Sequence, residues 1–415
     1  MVAQAGLTLV GTLGRAYRWA ARSRLPVVHT DLVLRSATRY RVGIPRATAQ
    51  WPVPGSRDWR RLGRTGLADP HPPSRIVALP PLDDEIMMAA DAALRLAAYR
   101  GAYRVWRGRR RHPGALPTFS PSVRQAVYEA LHEASRDGLR WVGSEHLLVA
   151  VLSLPDSAAA RFLTNWSQVD LDWLVGRLRD EPAYQGDSAP PLPSALAWLK
   201  FLRVLPATAP VPLRWPWRTA VWVLTRFVRR GYRRHGARYG HPMLAGCVSA
   251  AEQKAVELGR PYVTGAEVLL AVLDLHEQLT AAGSILPAEF ARFSEAGEIL
   301  RTGGVTLRAA TKAATRLTTL PTDAEADLGQ IPTRGWRTVR RRVAAPPYGR
   351  TSLAALRSAS VAARDAGHSH AGTTHLLAAV LVEADGPAAR LLHSLGADPA
   401  AIRAQAVARL ATSSA

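Results

Sequence analysis

Apolar residues along this chain fall into two patterns, a helical stripe and short continuous runs. Ala126, Ala130 and Ala134 stand four apart, as do Ala355, Ala359 and Ala363, and that i, i+4, i+8 spacing puts each set on one face of a helix. Each stripe ends at a glycine, Gly138 or Gly367, where the left-handed backbone that closes a helix costs glycine least. Shortly afterwards the chain writes "VGSEHLLVAVL" (Val142 to Leu152) and, 229 residues later, "AGTTHLLAAVL" (Ala371 to Leu381). A glycine, a hydroxyl residue and an apolar run predict a second helix, with Ser144 or Thr373 as the N-cap that accepts a free amide of the first turn.

The two stretches extend into an internal duplication. Asp156 falls on Asp385, "AAARFL" (Ala158 to Leu163) falls on "PAARLL" (Pro387 to Leu392), and about a third of some 48 aligned positions agree, which points to repetition rather than chance. A weaker third copy, "VELGRPYVTGAEVLLAVLDL" (Val256 to Leu275), sets Gly259 on the cap and Thr264 on the motif glycine. The weakest, "SRLPVVHTDLVLRSA" (Ser23 to Ala37), follows the helical "LVGTLGRAYRWAARSR" and has His29 at the motif position. Each unit reads as helix, capped turn, helix, loop, short helix, so the expected fold is all-α. Repeats one (about 5–45) and two (about 117–180) fill residues 1–182, a Pro/Trp/Arg-rich connector runs over 183–235, and repeats three (about 239–300) and four (about 348–411) fill 236–415.

"FSPSVRQAVYEALHEASRDGLRWVGSEHLLVAVL" (Phe119 to Leu152) carries Phe119-Ser120, an alanine-striped helix, Gly138 and Gly143-Ser144-Glu145-His146-Leu147-Leu148 in order. In this it resembles the repeat of the N-terminal domain of Clp-type ATPases, the ClpA/ClpC class. The resemblance implies an all-helical domain that recruits substrates and adaptors to an unfoldase. In the ClpC branch it also implies recognition of phosphorylated arginine by the residue opening the first helix and the glutamate of the turn. On this chain the implied binding set is Ser120, Ser144, Glu145 and His146. The matching turn of repeat four is Thr373, Thr374 and His375, where Gly349 and Thr374 replace the helix-start hydroxyl and the glutamate; repeat three has His241 and Ala266, and repeat one offers Asp31.

The greater departure from that family is an absence: GxxxxGK[ST], the loop whose amides and lysine hold nucleotide phosphates, does not occur in these 415 residues. The expectation is therefore a non-catalytic binding protein with no cofactor, an adaptor, decoy or scavenger. Its partner would be a protein or peptide degron, a Clp ATPase/protease complex or its substrates, or a Clp-targeting small molecule.

Other chemistry changes the picture little. His368, His370 and His375 have a spacing compatible with a metal ion, but His375 is the turn histidine, and a structural role is the preferred reading. Glu145 and His146 are adjacent on a helix and so point apart, with no nucleophile at an interpretable spacing. Cys247, the one cysteine, sits in an apolar helix and reads as core. With no disulfide pair, no leader-like start and no uninterrupted apolar run of about 20 residues, the expected setting is the cytoplasm.

Charge adds a second reading. The formal net charge is +22, from 54 Lys and Arg against 32 Asp and Glu, and it is concentrated before the repeats. Trp106 precedes Arg109, Arg110 and Arg111; Trp222 precedes Arg229 and Arg230; Trp336 precedes Arg340, Arg341 and Arg342. Aromatic and guanidinium groups together can stack on bases and neutralise phosphate, so a nucleic acid or other polyanion is the alternative partner. The plainer alternative is an amphipathic helix with its Trp packed and its arginines solvated.

Overall fold

The computed structural model describes residues 2–38, 68–70, 83–106, 116–167, 170–188, 241–317 and 346–412, with isolated positions 196, 199, 204 and 205. The structure is all-α apart from strands of two residues each. It forms two compact units, one from residues 1–191 and the other from 192–336 and 346–415.

In the first unit, β1 (Gln4–Ala5), α1 (Leu7–Ser23), β2 (Val27–Val28) and α2 (Thr30–Thr38) make up repeat one. After α3 (Asp84–Trp106) come β3 (Thr118–Phe119), α4 (Pro121–Arg136), β4 (Trp141–Val142), α5 (Ser144–Ser153), α6 (Ala158–Ser167), α7 (Leu171–Arg179) and the single turn α8 (Pro182–Gln185). The alanine stripe of α4 is fully buried, as are Leu9, Leu13 and Ala16 of α1 and Phe162 of α6. α1 also packs along α3. A Cβ on Gly101 would lie 2.8 Å from the Gly14 carbonyl and from the Tyr17 ring, so two glycines let these helices cross in close contact.

The repeats are joined reciprocally. β1 pairs in parallel with β4, Gln4 opposite Trp141 and Ala5 opposite Val142, while β2 pairs with β3, Val27 opposite Thr118 and Val28 opposite Phe119. The residues that open the first helix of each repeat are thereby laid against the turn of the other.

The second unit repeats this plan with α9 (Pro242–Glu257), α10 (Gly265–Ala281), α11 (Ala288–Ala291), α12 (Ala296–Thr302) and α13 (Leu307–Arg316), followed by α14 (Arg350–Asp365), α15 (Thr373–Val380), α16 (Pro387–Ser394) and α17 (Pro399–Thr412). α10 runs through its core, buried from Gly265 to Leu273. Val263 bridges Tyr348 in parallel, and the Ala371 amide donates to His241 Nδ1 at 3.0 Å. Helix starts again meet the opposite turns. Cys247 is buried in α9, and burial pushes its thiol up to about 12.

The cap glycines adopt the left-handed conformation their place in the pattern requires: φ is +76° at Gly138, +68° at Gly259 and +70° at Gly367. In repeat one the same bend is made by Arg24 at φ 58°, so the fold is present there without its glycine. Two local expectations are corrected. Ser144 and Thr373 are first helical residues, the N-caps being Gly143 and Gly372; the extended backbone of the cap falls one residue earlier. Of the residues assigned to the connector, Ala183, Tyr184 and Gln185 continue a turn of helix (Pro182–Gln185) on the first unit. Trp106 ends α3, whereas Arg109, Arg110, Arg111, Trp222, Arg229, Arg230, Trp336, Arg340, Arg341 and Arg342 lie outside the described residues.

Candidate functional site: the turn seams

The reciprocal pairing creates four places where a turn meets a helix start, and these hold the residues singled out by the sequence. It also separates two of them. Ser120 caps α4, accepting the Val123 amide at 3.2 Å, and its own amide donates to Val28 O at 3.0 Å. It therefore faces the turn of repeat one, His29-Thr30-Asp31. Ser144 and Glu145 face the start of α1 instead, where the Ser144 amide donates to Thr8 Oγ1 at 3.0 Å. Thr8, not Ser120, is the helix-start hydroxyl beside Glu145; two-residue strands with no alternating pattern gave no sequence signal for that exchange.

At the seam of repeat one the occupant is Asp69, a buried residue distant in sequence from everything it touches. Its carboxylate accepts the Thr30 amide at 3.0 Å, the Thr30 hydroxyl at 2.5 Å, the Ser120 hydroxyl at 2.5 Å and the Ala158 amide at 2.9 Å. Thr30 and Ala158 open α2 and α6, so two helix N-termini point their unpaired amides at one anion. His29 Nδ1 accepts the Asp69 amide at 3.1 Å and also lies 3.4 Å from Oδ2; one nitrogen serves one of these contacts at a time, and the shorter has the better hydrogen-bond geometry. Burial pushes the Asp69 carboxyl up, but the hydrogen bonds it accepts from Ser120, Thr30 and the Ala158 amide outweigh it and hold it down at about 2. Nearby Asp31, buried and like-charged, is raised to about 6, chiefly by burial.

The seam of repeat two is closed by hydroxyls. Ser188 Oγ lies 3.2 Å from Thr8 Oγ1, and Asp187 accepts the amides of Arg140 and Trp141 at 2.7 and 2.9 Å. Glu145 is 7% exposed, touches Ser144 Oγ at 3.3 Å and has no cation paired to it among the described residues; burial raises its pKa. His146 is fully buried and stacks on Tyr184 at 4.3 Å, with neither ring nitrogen hydrogen-bonded among the described residues. Burial lowers its pKa, so it is a neutral core ring. Between α4 and α7 an open cavity of about 550 Å³ is lined by Glu129, His132, Glu133, Arg136 and Arg179.

Repeat three satisfies its own turn. Thr264 caps α10, and Glu267 reaches back to the Thr264 amide at 2.7 Å and hydroxyl at 2.6 Å, a capping box. At repeat four the filler is aromatic. The Phe293 carbonyl accepts the Thr374 amide at 3.0 Å, the Glu295 amide donates to the Thr374 hydroxyl at 3.0 Å, and a Cβ on Gly372 would lie only 2.0 Å from that carbonyl oxygen. Phe293 stacks on His368 and Phe290 on His370, both at 4.5 Å. His375 Nδ1 accepts the Gly372 amide at 3.2 Å, leaving Nε2–H to meet His368 Nδ1 at 2.8 Å. His375, lowered to about 4 by burial and then by His368 and His241, is neutral at pH 7. Among the described residues no three His, Cys, Asp or Glu are grouped to hold a metal ion, and no single helix is long and apolar enough to cross a membrane.

The family model described as the Clp repeat (R) N-terminal domain matches residues 350–414. A 45-residue stretch is 53% identical to the chaperone protein ClpC2, chloroplastic, of Oryza sativa subsp. japonica, covering 11% of this chain and 5% of that relative. Residues 350–414 are thus similar to a Clp repeat N-terminal domain, and the chain spans about 5% of the length of the curated relative it matches.

Proposed function

We propose that this chain is a non-catalytic binding protein acting around a Clp-type unfoldase, as an adaptor, decoy or scavenger that captures a protein or peptide. The observation that carries the reading is the pairing of Clp-like repeats twice over in a stretch of 415 residues that holds no phosphate-cradling loop. Within it, Glu145 is the candidate partner for a guanidinium, being a buried carboxylate beside Thr8 and Ser144 without a paired cation among the described residues. Thr373, Thr374 and His375 offer no such carboxylate.

The test is a pull-down with the full chain, with and without nuclease, followed by titration of a purified Clp ATPase. Recovery of unfoldase or protease subunits after nuclease, and saturable binding in the titration, is the expected result. Loss of every partner on nuclease treatment overturns it. For the site, Glu145→Ala is expected to abolish binding of a phosphoarginine-bearing peptide; unchanged affinity, or no binding by the parent chain, removes Glu145 from the reading.

A further inference from the structure

At the third helical residue after the turn, repeat three has Glu267, which covers the Thr264 amide. Repeat two has His146 there, with neither ring nitrogen hydrogen-bonded among the described residues. Repeat four has His375, and its ring is the middle of a relay. The Gly372 amide donates to Nδ1 at 3.2 Å, and Nε2–H donates to His368 Nδ1 at 2.8 Å. The adjacent Ala371 amide donates to His241 Nδ1 at 3.0 Å. Each of these three imidazoles accepts an N–H through a lone pair that only the neutral ring carries. A proton on any of them sets donor against donor.

The same rings hold the cover of the turn. Phe293 stacks on His368 and lies 5.5 Å from His375, Phe290 stacks on His370, and both phenylalanines are buried. Arg292 lies over the Phe293 ring at 4.6 Å and reaches Ser369, so a proton on His368 brings a second cation to that ring. His370 faces Glu289 as well as Arg292. On the neighbouring elements Glu295 pairs with Arg409 of α17, Arg364 pairs with Asp365 of α14, and Glu267 of α10 lies 3.7 Å from Arg260. Glu298 and Arg301 of α12 flank His276. No carboxylate among the described residues offsets a charge on His375.

We propose that His241, His368 and His375 form a proton-operated latch. Neutral rings hold the segment from Ala288 to Glu295 on the repeat-four turn; protonation releases it and uncovers Phe290 and Phe293. Burial first, then the neighbouring histidines, holds His241 and His375 at about 4, below the ordinary 6.5. The closed state is therefore fully favoured above pH 6.5 and loses ground as pH falls toward 4. The latch operates whatever partner the chain takes, so its failure would leave the reading above intact.

The experiment is hydrogen exchange of the full chain at neutral pH and at about pH 5, corrected for the intrinsic pH dependence of amide exchange. It is read on the peptides carrying the Thr374 and Glu295 amides, which tie the segment to the turn. Protection there is expected to fall about tenfold or more in acid, while the amides of α10 keep theirs. The double variant His241→Asn, His375→Gln keeps an acceptor oxygen at both places but no titrating ring, and should change by less than about twofold. No change in the parent, the same change in the double variant, or an equal loss in α10 would each overturn the proposal. If the double variant does not fold, NMR of the parent labelled at histidine decides. Titration of His368 and His375 in step with the loss of protection supports the latch, and a loss while both rings stay neutral overturns it.

Discussion

The turn of repeat one and the turn of repeat four solve the same geometric problem with opposite chemistry. Both have helix amides that need covering, and both are covered by residues from outside the turn. At repeat one the cover is an ion: the Asp69 carboxylate gathers amides and hydroxyls and is held ionised far below the pH of the cell. At repeat four it is a carbonyl and a stack: Phe293 donates no charge, covers Gly372 with its backbone and lays its ring on His368. An ionic cover is specific in its geometry and sensitive to acid. An aromatic cover is bound by area and packing, so it is insensitive to pH except through the histidines it keeps dry.

The comparison is broken most severely at the aromatic end. Phe293 is 1% exposed, and Phe293→Ala is expected to cost about 3–5 kcal/mol, from lost burial plus the cavity left behind. Chemical denaturation followed by circular dichroism would show it; a loss under 1 kcal/mol would mean that the backbone carbonyl alone closes the turn.

Asp69→Asn tests the ionic end at smaller cost. The folded pKa of about 2 lies below the ordinary 3.8, so the carboxylate's contribution is fully present above pH 4 and lost as pH falls through about 2. That shift corresponds to about 2 kcal/mol. The parent should therefore exceed Asp69→Asn by that amount at pH 7, with the gap closing near pH 2. A gap independent of pH would assign the effect to shape.

Asp31 has the opposite sign. Its folded pKa is raised from 3.8 to about 6, so the folded state binds the proton more tightly and stability falls as pH rises between those values. Asp31→Asn should stabilise by about 1–2 kcal/mol at pH 7 and give no advantage below pH 4. The smallest expected effect is at Arg24, whose φ of 58° is the left-handed region. Arg24→Gly should gain about 0.5–1 kcal/mol, visible as a Tm increase, and it would bring repeat one to the cap that the other repeats already have.

These differences track how much of each region was legible in the sequence. Repeats two and four were readable because their helices are local: an alanine every fourth residue, a glycine where φ turns positive, a glycine and hydroxyl before an apolar run. Repeat one was faint because Arg24 holds the bend that glycine marks elsewhere. α3 was missed, its last turn read as part of a basic connector, since it packs through the Gly14–Gly101 crossing, which has no period of its own. The pairing of Ser120 with Glu145 followed the order of residues in one repeat, whereas the parallel strands exchange helix starts between repeats.

The sequence alone determined that the chain folds as tandem Clp-like helical repeats and where most of their helices stop, because periodicity, capping and backbone handedness act over a few residues. Tertiary structure decided which helix start faces which turn and what fills each seam. Outside repeat three, where Glu267 reaches back only three residues, those contacts join residues from 39 to 180 positions apart, and an aspartate, a serine or a phenylalanine in a loop has no local pattern that names its distant partner.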